Sequence, residues 1–250
     1  MTKTLVKFCE EDFNIGLECK TLQLGTFDYY RELDPGFIIS DPDEAIRRLA
    51  FKNDLSLPGD LAEQILGPNV SMAKDKKLNV GPGFTVQNVF PNCYIFCATI
   101  QDQDSYTKRD AQLYDEKYNS CYRVTNVDEF INNIKSGLLK KFNSDLFTKE
   151  KPDKFNCKLF TIWRKVTYLD QKHLEISSDS RREIEEICRD LNDSKRNIFL
   201  KDKKDEYQKE GRIAFVFLDD KDKPIPVKKD PLIIDLDFSN PCWENISLLD

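Results

Sequence analysis

The chain has 250 residues, 40% hydrophobic and 33% charged, with 38 basic and 44 acidic side chains and a formal net charge of −6. This balance excludes a largely disordered chain, and the acidic excess argues against a broad basic surface that grips nucleic acid nonspecifically. No stretch approaches the roughly 18 apolar residues a membrane-spanning helix needs, and MTKTLVKFCEEDFN is acidic where a secretory leader would be apolar, so a cytoplasmic location is expected.

The opening TLVKFC reads as a short strand, EEDFNIGLECKT as a helical or loop connection, and LQLGTFDYYREL as a second strand entering a turn. Gly25 permits a bend or close backbone approach, and Tyr29 and Tyr30 place ring surface beside Arg31. DPGFIISDPDEA carries two Asp-Pro steps, which make it a loop or hairpin whose Asp41, Asp43 and Glu44 form an acidic corner. From about 45–85 the pattern is mixed and reads as an inserted lobe, with DLAEQIL forming a helix between Pro58 and Gly67. GPGF at 81–84 lacks the Gly-Lys-Ser or Gly-Lys-Thr ending of a phosphate loop and is a turn.

NCYIFCATIQD is the clearest central strand of the first half, being apolar from Cys93 to Ala98. A strand at SCYRVT precedes a helix at VDEFINNIKSGLL, capped by Asn126 or Asp128 and stopped near Gly137. Farther on, KLFTIWRKVTYL is β-rich, and SSDSRREIEEICRDLN is an amphipathic helix with Ile184, Ile187, Cys188 and Leu191 on one face. GRIAFVFLDD and PLIIDLDF are expected as strands near the sheet centre. With no repeat and no linker, the economical reading is one α+β domain.

The eight cysteines are dispersed, several inside strand-like apolar runs, and read as buried free thiols without a zinc site. His173, the only histidine, sits in polar LDQKHLEISS and reads as a surface residue. Attention therefore falls on KDEYQKEGRIAFVFLDD, where Gln208-x-Glu210 directly precedes a hydrophobic strand. A carboxylate at a strand lip is rigidly held yet can face a cleft, and Gln208, Glu210 and Arg212 alternate, so they can share one face.

LQLGTFDYYRE, YIFCATI, KYNSCYRV and EYQKEGRIAFVF occur in an order that resembles an uncharacterised bacterial domain family ending in Gln/Glu-x-Glu-x-Arg before a strand. The same layout resembles the ADP-ribosyltransferase superfamily. The resemblance implies a split, mostly antiparallel β-structure with flanking helices that grips NAD as substrate in its cleft, with no metal. It implies that Glu210 stabilises the cation-like ribose as nicotinamide leaves and that Gln208 orients the acceptor. Lys7 stands where members commonly carry His or Arg, and Cys97, Ala98 and Thr99 stand in place of Ser-Thr-Ser on the central strand. Tyr29 or Tyr30 would offer nicotinamide an aromatic face, and Arg31 and Arg123 would contact the pyrophosphate. The activity implied is transfer of ADP-ribose to a protein or nucleic acid by a toxin or phage-defence effector, with an antitoxin protein as neutralising partner. The alternatives are an NAD glycohydrolase and a non-catalytic binding module on the same fold.

Overall fold

A computed structural model describes residues 4–33, 40–67, 71–73, 75–101, 103, 105–148, 157–170 and 173–250. The fold is α+β with a mostly antiparallel sheet and several helices. It divides into two compact units, the first formed by 1–44, 91–166 and 205–250 and the second by 45–90 and 167–204. The sequence reading did not join the distant stretch 167–204 to the lobe it placed at 45–85. Asp34-Pro35 and KEKPDKF lie outside the described residues.

The first unit is built on eight strands: β1 (Thr4–Cys9), β2 (Thr21–Thr26), β3 (Tyr94–Gln101), β4 (Ser120–Val124), β5 (Lys158–Lys165), β6 (Glu210–Leu218), β7 (Leu232–Asp235) and β8 (Trp243–Ile246). Their order is β5-β6-β3-β1-β4-β8, with β2 also paired to β3 and β7 to β2, and every one of these pairings is antiparallel. Helices α1 (Phe27–Glu32), α2 (Lys108–Gln112) and α3 (Val127–Lys140) flank it.

Alternation along the strands builds two apolar faces. Leu5, Phe96, Ala98, Ile100, Val124, Ile213 and Phe215 join α3 residues Phe130, Ile134 and Leu138 in the larger core. Those three recur every four residues, so they form one stripe on the helix, and burying each stabilises by about 1.5–3 kcal/mol. Val6, Phe8 and Cys121 meet Tyr106 and Ala111 on the other face. β6 is buried along almost its whole length, which explains its continuous apolar run. β7 corrects the expectation of a central position: it pairs with β2, off the main path, and alternates in exposure.

Two local readings also change. Tyr29 and Tyr30 lie on α1 rather than where a strand enters a turn, because the Thr26 hydroxyl accepts from the Tyr29 amide and caps a helix there. Asn126 caps α3 as expected. Gly137, however, lies inside α3, where an added Cβ would come within 2.8 Å of the Asp235 carbonyl, so it serves close packing rather than termination.

The second unit has a three-stranded sheet in the order Leu174–Ile176, Ile46–Phe51, Thr85–Val89, plus helices Gly59–Leu66 and Arg181–Asn192. Ile184, Cys188 and Leu191 pack with Leu61, Ala62 and Ile65 in its core. Buried Arg47 pairs with Asp190. GPGF is a turn there, with Gly83 at φ 86°. Among the described residues of either unit, no helix is long and apolar enough to cross a membrane.

Candidate functional site

One edge of β3 is shared by two strands. β1 pairs with it through Thr4–Val6 opposite Gln101–Thr99, and β2 pairs through Gly25 and Thr26 opposite Ile95 and Tyr94. The two ladders therefore diverge over Phe96–Ala98. Lys7 spans this divergence: its Nζ donates to the Cys97 carbonyl at 3.0 Å and lies 5.8 Å from the centre of the Phe96 ring. Tyr30 reaches the same region from α1. Gly25 makes room for it, since a Cβ there would stand 2.6 Å from the Tyr30 ring. Burial, then Cys97 and Glu210, push the Tyr30 phenol well above its ordinary pKa.

On its other edge β3 pairs with β6, which sets Glu210 opposite Thr99 and Arg212 opposite Cys97. The strand begins at Glu210, so Gln208 ends a 3-10 helix instead of sharing the strand as the alternation suggested. Lys209 between them has φ 45°, a left-handed conformation for a non-glycine residue. Its carbonyl still accepts from the Ile100 amide at 2.8 Å, while the Glu210 carbonyl accepts from Val166 at 2.9 Å. This turn buries both Gln208 and Glu210 and leaves Lys209 exposed. We expect Lys209→Gly to be neutral or slightly stabilising and Lys209→Val to cost about 1–2 kcal/mol, read by urea denaturation, because a β-branched side chain is strained in the left-handed region.

Arg212 is 0% exposed and is held by two carboxylates. Its Nε donates to Glu210 Oε1 at 2.9 Å, while Nη1 and Nη2 donate to Glu44 Oε1 and Oε2 at 2.7 and 3.3 Å. Burial alone would lower the Arg212 pKa, but Glu210 and Glu44 outweigh it and hold the guanidinium well above its ordinary range. Two carboxylates share the one Arg212 guanidinium, so it does not by itself cancel the charge they bring. Such a charge, fixed on rigid elements, can stabilise a cation developing beside it.

An aromatic group completes the neighbourhood. Tyr114 stacks on Phe8 with centroids 5.1 Å apart and donates to the Gln208 carbonyl at 3.4 Å, and burial raises its phenol pKa while the Thr99 and Gln101 side chains oppose the rise. Tyr118 is half-buried near Lys7, and burial raises its phenol pKa against the opposing pull of that ammonium. Sequence reasoning missed Glu44, Tyr114 and Tyr118 as members of this cluster. The Asp-Pro-Asp-Glu corner contained Glu44 and KYNSCYRV contained Tyr118, while no motif singled out from the sequence contained Tyr114.

The expected site residues are thus only partly brought together. Tyr29 supports Tyr30 edge-to-face at 5.3 Å. Arg31 donates Nε to the Glu44 carbonyl at 2.7 Å and pairs with Asp28, leaving a buried Nη2 without a hydrogen-bond partner. Arg123 stands in register with Val6, Thr99 and Glu210, but that row spans three strand spacings, about 14 Å, and its guanidinium binds Glu244 and the Gln103 carbonyl. His173 lies in the second unit, 3.3 Å from Arg48.

All eight cysteines are free thiols, but Cys19, Cys97 and Cys157 are only half-buried, against the expectation of burial throughout. Burial pushes Cys9 and Cys121 up to about 12, so neither is a ready nucleophile. Among the described residues no group of three or more His, Cys, Asp or Glu side chains is arranged to hold a metal ion. Comparison with protein-family models, curated proteins and solved structures finds no match.

Proposed function

We propose that the first unit is an ADP-ribosyltransferase-like domain that consumes NAD and transfers ADP-ribose to a macromolecule, with Glu210 as the catalytic carboxylate. The observation that carries this reading is the position of Glu210: it opens β6 directly opposite Thr99, where the β1 ladder ends and the β3 edge divides between β1 and β2. Division of the antiparallel sheet at this point supports the split β-structure that the family resemblance implies.

In the reaction, the bond between ribose C1′ and the nicotinamide nitrogen breaks, and its electron pair neutralises the pyridinium ring. Positive charge passes to the ribose, where the fixed Glu210 carboxylate stabilises it. An acceptor oxygen or nitrogen then bonds to C1′ and releases its proton to solvent water, with Gln208 orienting the acceptor. The Tyr30 ring is suited to the nicotinamide face. The buried Arg31 Nη2, with no hydrogen-bond partner, supports a role for that guanidinium toward a phosphate oxygen. In the cell this activity fits a toxin or phage-defence effector kept in check by a neutralising protein.

One observation favours a second reading, a binding module on the same fold. Lys7 is engaged with the Cys97 carbonyl, a bond within the sheet rather than toward a ligand. Incubation with phosphate-labelled NAD and cell extract separates the readings. Label on protein or nucleic acid supports transfer, free ADP-ribose alone supports hydrolysis, and undiminished NAD supports the binding module.

A further inference from the structure

We infer that Glu44 is a positioning residue for the proposed reaction: it occupies one side of the Arg212 guanidinium, fixing the orientation of Glu210 and opposing cancellation of the Glu210 charge by that guanidinium. This rests on the reading of Glu210 as the catalytic carboxylate.

The geometry divides the guanidinium fork between two partners. Glu44 takes Nη1 at 2.7 Å and Nη2 at 3.3 Å, and Glu210 takes Nε at 2.9 Å with Nη2 2.8 Å from the same oxygen. A planar fork engaged at both sides holds its carboxylates in one arrangement. With Arg212 as its sole charged neighbour, Glu210 would form a neutral pair whose field on a nearby ribose is largely cancelled. Glu44 opposes that cancellation, and in a buried setting such charges act more strongly than in water.

Glu44 is itself built in. It is 2% exposed, its amide donates to the Asp41 carbonyl at 2.9 Å, and its own carbonyl accepts from Arg31 Nε at 2.7 Å. Backbone strain marks both carboxylates. Among the described residues the non-glycine positive φ angles fall at Ala45, Lys209 and Asp222, and the first two directly flank Glu44 and Glu210. Such conformations persist where the surroundings over-determine them. Among the described residues, Arg31, Cys93, Cys97, Tyr29, Tyr30 and Tyr118 are further titratable or charged groups near the cluster.

The test compares Glu44→Gln, which keeps the shape and loses the charge, with Glu44→Asp, which keeps the charge on a shorter arm. We expect Glu44→Gln to lower kcat for NAD consumption about tenfold with KM within about twofold, and Glu44→Asp to stay within about threefold of wild type. A merely structural role gives the opposite order, because the isosteric amide would fit better than the shortened acid. Binding of a cationic pyrrolidine analogue of the ribosyl cation, measured by calorimetry, adds a readout independent of turnover: Glu44→Gln should weaken it about fivefold and Glu44→Asp by less than about twofold. Glu44→Asp falling below Glu44→Gln in kcat, or Glu44→Gln binding the analogue as tightly as wild type, would overturn the role of Glu44. A wild type that leaves NAD intact yet binds the analogue with this dependence on Glu44 would support the placement of Glu44 and overturn the NAD reading alone.

Discussion

Replacing Glu210 with Gln is expected to reduce NAD consumption by about 10³-fold while leaving the protein folded. The magnitude follows from removing a preorganised charge aimed at the developing cation, the kind of interaction worth about 10²–10³-fold in rate. Gln is the informative substitution because it preserves shape and can still accept from Arg212 Nε, and the remaining Arg212 and Glu44 then balance each other. Loss of activity would therefore be separable from loss of structure. Initial rates of nicotinamide release, read beside thermal unfolding of the same sample, make the check. A variant that folds like wild type and keeps its rate within tenfold would sink the assignment of Glu210.

The largest effect on stability is expected at Arg212. Arg212→Met leaves Glu44 and Glu210 buried side by side without their shared cation, so one must take up a proton or both must find water. Breaking a buried pair from one side costs about 3–5 kcal/mol, far more than the pair contributes as a whole, since most of that cost comes from the charge left behind. The exposed Arg182–Glu186 pair gives the contrast. Its side chains are 87% and 56% exposed, and truncating Arg182 should cost less than about 0.5 kcal/mol. Urea denaturation at pH 7 of Arg212→Met, Arg182→Ala and wild type would test this; an Arg212→Met loss as small as that of Arg182→Ala would show that the cluster does not brace the buried strand junction.

Legibility from sequence tracked how local each signal was. Of the two caps the sequence offered for α3, Asn126 and Asp128, Asn126 is the one that accepts from the Glu129 amide, a signal legible because a cap lies within three residues of the group it acts on. The continuous apolar run of β6 located a strand covered on both faces. PLIIDLDF, equally apolar to the eye, became the off-path strand β7, since apolar content alone does not reveal which neighbour a strand finds. Gly137 misled for a similar reason. Its role depends on Asp235 and Ile234, almost a hundred positions away.

The candidate site divides along the same line. By itself the sequence determined that Gln208, Glu210 and Arg212 lie at a turn-to-strand junction, and through resemblance it nominated Glu210 as the carboxylate to examine. Only tertiary structure decided that Arg212 is wholly buried, that Glu44 is its second partner from 168 residues away, and that Tyr30 and Thr99 stand beside Glu210 while Arg123 does not. The physical reason is that a strand junction is encoded by neighbouring residues. The charge state and surroundings of a buried carboxylate depend on groups that the sheet register brings together from distant parts of the chain.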